Sequence, residues 1–240
     1  MYSYRTVHGP VDLAFTDRLG GVSAAPYDEL NLSIAGLDDE AATAENHRRL
    51  LTDFAPGVPY ADLFQVHGDE VVLADPRSRP PADGIVTDRA DLVLMVRTAD
   101  CVPVLLADAA AGVIGAAHAG RRGMAAGVVT ATVARMRGLG ADRILAWLGP
   151  SVCSKCYEVP AEMAEEVAAI EPVTRARTAW GTASLDIAAG VRAQLQRASV
   201  EVSVDAERCT RESLDLYSYR RDGLGASLGA VIRLRSGGAA

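Results

Sequence analysis

Histidine is scarce in this 240-residue chain, with four in all: His8, His47, His67 and His118. Four imidazoles cannot furnish a multicopper cluster as well as a blue-copper site, which itself takes two histidines and a cysteine. A copper oxidase is disfavoured on that count. Cysteine is equally sparse, at four, which fits reduced thiols or metal ligands better than a disulfide framework. No apolar run approaches the ~20 residues of a membrane span, and the opening M-Y-S-Y-R-T-V-H-G-P lacks an apolar signal core. These absences predict a soluble, cytoplasmic protein with no membrane partner. A basic surplus is missing too: 24 basic residues face 31 acidic ones, a net charge of −7, which argues against nucleic acid as the main partner. Nothing reads as a linker, so a single domain over 1–240 is expected, with a core of substantial size.

What is present gathers around residues 91–122. The segment 92–96 is a continuous apolar run, the signature of a strand buried on both faces. It breaks at Thr98-Ala99-Asp100; Cys101 follows, and 102–107 is a second apolar run. A third spans 113–117 and is punctuated by His118-Ala119-Gly120-Arg121-Arg122-Gly123. Cys101 and His118 at the ends of buried strands sit on stiff backbone, as a metal or catalytic site requires; a buried thiol and a strand-end histidine would read the same way. Upstream, 63–66 and 70–73 read as strands separated by a kink at His67-Gly68. The glycine leaves room to approach the imidazole. His67, Cys101 and His118 together make a His/Cys/His set of three ligands with a fourth position open, the pattern of a catalytic zinc. Their separations of 34 and 17 residues match no zinc-finger spacing.

Elsewhere, 6–15 reads as an opening strand interrupted by Gly9-Pro10, and 16–23 as a turn-rich loop carrying Arg18. Acids at 38–40 predict a helix start; Leu50, Leu51 and Phe54 give that helix an apolar face, and Pro56-Gly57 stops it. A helix is expected over 123–137, its N-terminus close to His118 and the Arg121-Arg122 pair, where an anion could be held. A strand over 143–148 leads to Cys153-Ser154-Lys155-Cys156. A C-x-x-C is half a zinc site or a redox pair, but there is no second one. Cys209 is the remaining thiol, so four cysteines around zinc would consume Cys101. Further helices are expected from Pro160 to Ile170 and from Asp186 to about Ala198, and further strands over 200–204 and 229–234, before a frayed tail at 237–240.

Nine motifs, in order along nearly the whole chain, carry a resemblance. They are T-D-R-L-G-G-V-S (16–23), L-N-L-S (30–33), Q-V-H-G (65–68), A-D-G-I-V-T (82–87), T-A-D-C-V-P-V-L-L-A-D (98–108), H-A-G-R-R-G (118–123), G-P-S-V with C-Y-E-V (149–159), C-T (209–210) and S-Y-R-R-D-G (218–223). The chain resembles the YfiH-like proteins, formerly labelled multicopper polyphenol oxidases or laccase-domain proteins and now regarded as purine nucleoside phosphorylases with adenosine deaminase activity. The resemblance implies an α/β (α+β) fold of mixed β-sheets layered against helices. It implies zinc on His67, Cys101 and His118, with purine nucleosides (adenosine, inosine, guanosine, methylthioadenosine) and phosphate as small-molecule partners. Asp100 is the candidate proton shuttle for deamination. Arg18, Gln65, Arg122 and Arg220 are the candidates for holding substrate and phosphate. Three positions depart from the family pattern: Arg121 stands in place of Trp, His47 follows Asn46 in place of Arg, and Ala226 follows Gly225 in place of Arg.

Two other readings compete. A Cys-His hydrolase or amidase would use Cys101 as nucleophile and His118 or His67 as base. A non-catalytic partner protein would carry the trio as a structural zinc.

Overall fold

Side chains alternate across a strand, so a run that is apolar at every position needs a covering layer on both sides. The computed structural model describes residues 1–206 and 208–235 and supplies both layers; the expected tail at 237–240 lies outside the described residues. The strands are β1 (Tyr2–His8), β2 (Val11–Thr16), β3 (Tyr60–Ala61), β4 (Val71–Leu73), β5 (Gly84–Thr87), β6 (Val93–Thr98), β7 (Val102–Asp108), β8 (Val113–Ala119), β9 (Leu145–Leu148), β10 (Arg175–Arg177), β11 (Ala183–Leu185), β12 (Glu201–Asp205) and β13 (Leu228–Leu234). The helices are α1 (Glu40–Phe54), α2 (Arg121–Ala126), α3 (Val128–Gly138), α4 (Ala161–Ile170), α5 (Ile187–Arg197) and α6 (Tyr219–Asp222).

Two mixed sheets carry the fold: five strands in the order β1-β2-β13-β6-β3, and six in the order β12-β9-β7-β8-β5-β4. They pack face to face. Leu13, Phe15, Leu94 and Ile232 of the first meet Leu105, Ile114, Ala116 and Trp147 of the second. The outer face of the five-stranded sheet is covered by α1, where Leu50 and Phe54 pack with Val93, Met95 and Val231. Asp39 caps that helix by accepting the Ala42 N–H at 2.8 Å. The outer face of the six-stranded sheet is covered by α3, α4 and α5 through Val129, Val133, Val167, Val191 and Leu195. This is the expected α/β architecture of mixed sheets layered against helices. No helix among the described residues is long and apolar enough to cross a membrane.

Three local expectations are corrected. The segment 6–15 is two strands and not one: it holds the end of β1, the turn at Gly9 with φ +58°, and most of β2, which pairs back on β1 as a hairpin. The segment 63–66 forms only an isolated bridge, Phe64 to Pro81, because its backbone turns away towards the His67 loop. The helix expected over 123–137 begins two residues earlier and is broken at Gly127, whose φ of +97° ends α2 and opens α3.

Parity places the site. Leu105 and Ala107 of β7 face the inter-sheet core, as do Ile114 and Ala116 of β8. Counting by two along each strand puts Cys101 and His118 on that same face, at one end of the six-stranded sheet. The antiparallel register pairs Pro103 with His118 and Val102 with Ala119, so Cys101 stands opposite Gly120.

Candidate active site and metal centre

His67, Cys101 and His118 converge, their ligand atoms all within 4.8 Å of one another. The two imidazoles meet edge to face, ring centroids 4.8 Å apart at 79°. Gly120 makes the convergence possible. A Cβ there would lie 2.9 Å from both Cys101 Sγ and His67 Cδ2, and 3.7 Å from His118 Cε1. His118 is buried and His67 stands exposed at the rim, so the cluster has a sealed side and an open one.

Asp83 organises it, and this residue was not among those singled out from sequence. A carboxylate accepts and does not donate, so His118 Nδ1 carries the proton it gives to Asp83 Oδ1 at 2.7 Å, and Nε2 is left free as a ligand. The same carboxylate accepts the N–H groups of Val66 (3.1 Å), His67 (3.0 Å) and Gly68 (2.7 Å). Burial alone would push the Asp83 carboxyl up, but His118 and these amides hold it below the usual carboxylate range. One acid thus fixes the tautomer of His118 and the loop that bears His67. The available signal was an aspartate ahead of a fully buried strand, inside A-D-G-I-V-T.

The thiol and the buried imidazole act on each other. Burial alone would raise the Cys101 pKa, yet His118 and His67 hold it at about 6. Burial would lower that of His118, yet the Cys101 sulfur and Asp83 raise it to about 9. The pair therefore favours thiolate and imidazolium, and a cation can replace the imidazolium proton at Nε2. Two nitrogens, one sulfur, a carboxylate behind one histidine and an open fourth side form a donor set that fits a metal. Among the described residues no other histidine joins it: His8 packs edge-on against Trp147, and His47 stacks on Tyr60.

Two ligand-side residues hold left-handed backbone, His67 at φ +61° and Asp100 at φ +89°. Such conformations cost of order 1–3 kcal/mol each and persist where surrounding bonds impose them. The bonds from the Val66, His67 and Gly68 N–H groups to the Asp83 carboxylate do so for His67. For Asp100, the carbonyl accepts the Val152 N–H (3.0 Å), Oδ1 accepts the Thr210 hydroxyl (2.6 Å) and Oδ2 accepts the Arg220 N–H (2.6 Å).

The trio opens into a cavity of about 550 Å³, within the size range of small-molecule sites. Asp100, Gln65 and Arg220 line it, together with the aromatic residues Phe64, Tyr157 and Tyr219. The Arg220 guanidinium stacks on Tyr157 at 4.9 Å and gives one N–H to the Glu158 carbonyl. Gln65 is committed to the main chain: its amide donates to Arg97 O (2.7 Å) and accepts from Arg97 N (2.8 Å). Arg97 lines the cavity as well, but its guanidinium is buried against Asp62. Arg18 and Arg122 do not line the cavity. Arg18 stacks on Tyr217 and donates to the Asp28 carbonyl, and Arg122 is exposed in the first turn of α2. Arg121 instead reaches Tyr157. The C-x-x-C cysteines, Cys153 and Cys156, gather elsewhere with Cys209 and Glu212, and Cys101 is not consumed.

A family model described as "Multi-copper polyphenol oxidoreductase laccase" matches residues 12–234. The chain belongs to this family. The purine nucleoside phosphorylase SCO2081 of Streptomyces coelicolor is 51% identical over 226 residues, covering 90% of this chain and 92% of the relative. Purine nucleoside phosphorylase YfiH of Escherichia coli is 36% identical over 213 residues, covering 85% and 86%. Among solved structures, protein NMB0706 of Neisseria meningitidis superposes with a TM-score of 0.86 at 31% identity, covering 96% of each chain. YlmD of Geobacillus stearothermophilus does so at 0.84 and 28%, covering 95% and 93%. The family label and the relatives' names point to different chemistries, and the donor set bears on which applies here.

Proposed function

We propose that this protein is a zinc-dependent purine nucleoside phosphorylase that also deaminates adenosine, acting on adenosine, inosine, guanosine and methylthioadenosine. The observation that carries the reading is the Asp83-backed His67/Cys101/His118 cluster at the end of a cavity lined by Arg220 and aromatic rings, in a chain whose relatives are named purine nucleoside phosphorylases. His67, Cys101 and His118 would hold Zn²⁺ through two imidazoles and one thiolate, leaving a net charge of about +1 that would acidify water or polarise a substrate oxygen.

The chain's own residues supply the rest. Phosphorolysis breaks the C1′–N9 bond and forms a C1′–O bond to phosphate, so an anion and a flat base must be held side by side. Arg220 spends one N–H on Glu158 O and keeps the others for phosphate. Phe64, Tyr157 and Tyr219 offer faces for the purine. Deamination exchanges the 6-amino group for oxygen. Each Asp100 oxygen accepts one hydrogen bond and keeps a lone pair, which suits it to carry a proton from water to the departing nitrogen. The test is product chromatography of metal-quantified protein with adenosine, with and without phosphate, beside Cys101→Ala. Phosphate-dependent adenine and separate inosine, both lost in the variant, are expected. One equivalent of zinc with neither product sinks the reading.

One observation favours a second reading. Without metal, Cys101, His118 and Asp83 stand as a Cys-His-Asp series with the thiol held at about 6, the arrangement of a cysteine hydrolase or amidase. A thiolate held by metal is not free to attack, so amide turnover that rises on chelation would select this reading.

A further inference from the structure

The second cysteine cluster has no part in the chemistry above. It is assembled from two loops. In the first, the Cys156 and Tyr157 N–H groups both donate to Cys153 O (2.9 and 3.0 Å), folding C-x-x-C into a tight turn with both sulfurs on one side. In the second, the Ser213 N–H donates to Cys209 O (3.0 Å), turning the chain so that Glu212 faces back. A bridge from Ser151 to Cys209 joins the loops, and the Cys153 N–H donates to Cys209 Sγ at 3.5 Å. Cys156 Sγ lies 3.5 Å from Glu212 Oε1.

We propose that Cys153, Cys156, Cys209 and Glu212 form a second, structural zinc site. The four ligand atoms lie within 4.8 Å of one another. A tetrahedral ion with bonds of ~2.3 Å to sulfur spaces its sulfurs by about 3.8 Å, so closure needs a shift of about 1 Å. All three cysteines are free thiols. A disulfide between any two would strand the third beside a carboxylate. The Arg211 guanidinium, 3.8 Å from Cys156 Sγ, supplies one positive charge against four potential anions, and a divalent cation would bring the net charge of the cluster to about −1. The N–H bonded to Cys209 Sγ and the guanidinium at Cys156 are the outer hydrogen bonds that hold thiolate ligands in place. Sulfur-rich, four-coordinate and closed, the set selects zinc over the hard cations.

The site ties together two walls of the catalytic cavity. Tyr157 follows Cys156 directly, and Thr210, next to Cys209, holds Asp100. Arg221 braces the same loop by donating to the carbonyls of Thr210, Arg211 and Ser213. Zinc here fixes the wall that carries Arg220 and Asp100 without touching substrate.

The test is metal analysis of the full chain purified from zinc-supplemented cells, with Cys101→Ala to empty the first centre while leaving the second intact. Two zinc ions per chain are expected in the wild type and one in Cys101→Ala. Cobalt reconstitution of Cys101→Ala should give an intense thiolate-to-metal band with tetrahedral ligand-field bands. Glu212→Gln, which keeps all three sulfurs, should lower zinc affinity in that background by at least the roughly 10–100-fold that loss of an outer-shell partner costs. A metal-free Cys101→Ala protein, a mass shift showing two of the three cysteines joined as a disulfide, or unaltered affinity in Glu212→Gln overturns the proposal.

Discussion

Asp83 accepts the Nδ1–H of His118 in a 2.7 Å hydrogen bond and also accepts the His67 N–H at 3.0 Å. One buried carboxylate therefore sets two of the three candidate ligands. Asp83→Asn keeps the size but presents an NH₂ to groups that are all donors, leaving at least one buried N–H unpaired. Zinc affinity is expected to fall about 10–100-fold, measured by chelator competition. Wild-type affinity in this variant would remove Asp83 from the positioning role.

Gly120→Ala tests the cradle. The Gly120 backbone, φ −76° and ψ 171°, suits alanine, so the clash is confined to the Cβ and its 2.9 Å approaches to Cys101 Sγ and His67 Cδ2. Overpacking of this kind costs about 1–3 kcal/mol. That cost falls on the ligands, so zinc affinity should drop by about tenfold or more while the circular dichroism of the metal-free protein stays that of the wild type. Full affinity would mean that the ligands do not need this space.

The strands that carry the site were legible because β6, β7 and β8 are buried on both faces, which leaves continuous apolar runs with polar residues only at their ends. Cys101 and His118 stood out as those ends. Asp83 did not, because between Ala82 and Gly84 it reads as a turn residue, and its partners lie across loops and 35 residues away at His118. The cysteine cluster was half legible. Cys153 and Cys156 were visible as a spacing, but Cys209 and Glu212 join them through a loop contact 56 residues distant that no local pattern encodes. Arginines are hardest to place from sequence, since a long side chain is used where its neighbours leave carbonyls or rings free. Arg18 goes to Tyr217 and Asp28, and only Arg220 of the candidate arginines reaches the cavity.

His47, buried in α1, predicts an acid-sensitive step. Burial lowers its pKa to about 4, with Arg97 adding to the effect; Nδ1 donates to the Thr43 carbonyl and Nε2 is buried without a partner. The unfolded chain protonates His47 below its ordinary value of 6.5, whereas the folded chain resists until about 4. Between those values the unfolded state binds more protons, so stability falls as pH falls, by about 3 kcal/mol across the window. His47→Phe retains a ring on Tyr60 and removes the titration. Urea midpoints of wild type and variant should converge or cross between pH 6.5 and 4. A constant difference between them would show that His47 does not titrate in this way.

Arg220 separates the two proposed reactions. Its backbone N–H donates to Asp100 Oδ2, and its guanidinium is the group proposed above to hold phosphate. Arg220→Gln leaves the backbone bond in place and removes the charge. A hydrogen bond to a charged group contributes about 1.5–3 kcal/mol, so KM for phosphate in adenine release should rise about ten- to hundredfold. Inosine formation, which needs no phosphate, should keep its kcat within a few-fold. Arg18→Gln and Arg122→Gln, whose side chains lie outside the cavity, should leave the phosphate dependence near that of the wild type. Equal losses in both reactions for Arg220→Gln would place the residue in shaping the cavity and not in binding the anion, and a phosphate effect confined to Arg122→Gln would move the anion to the first turn of α2.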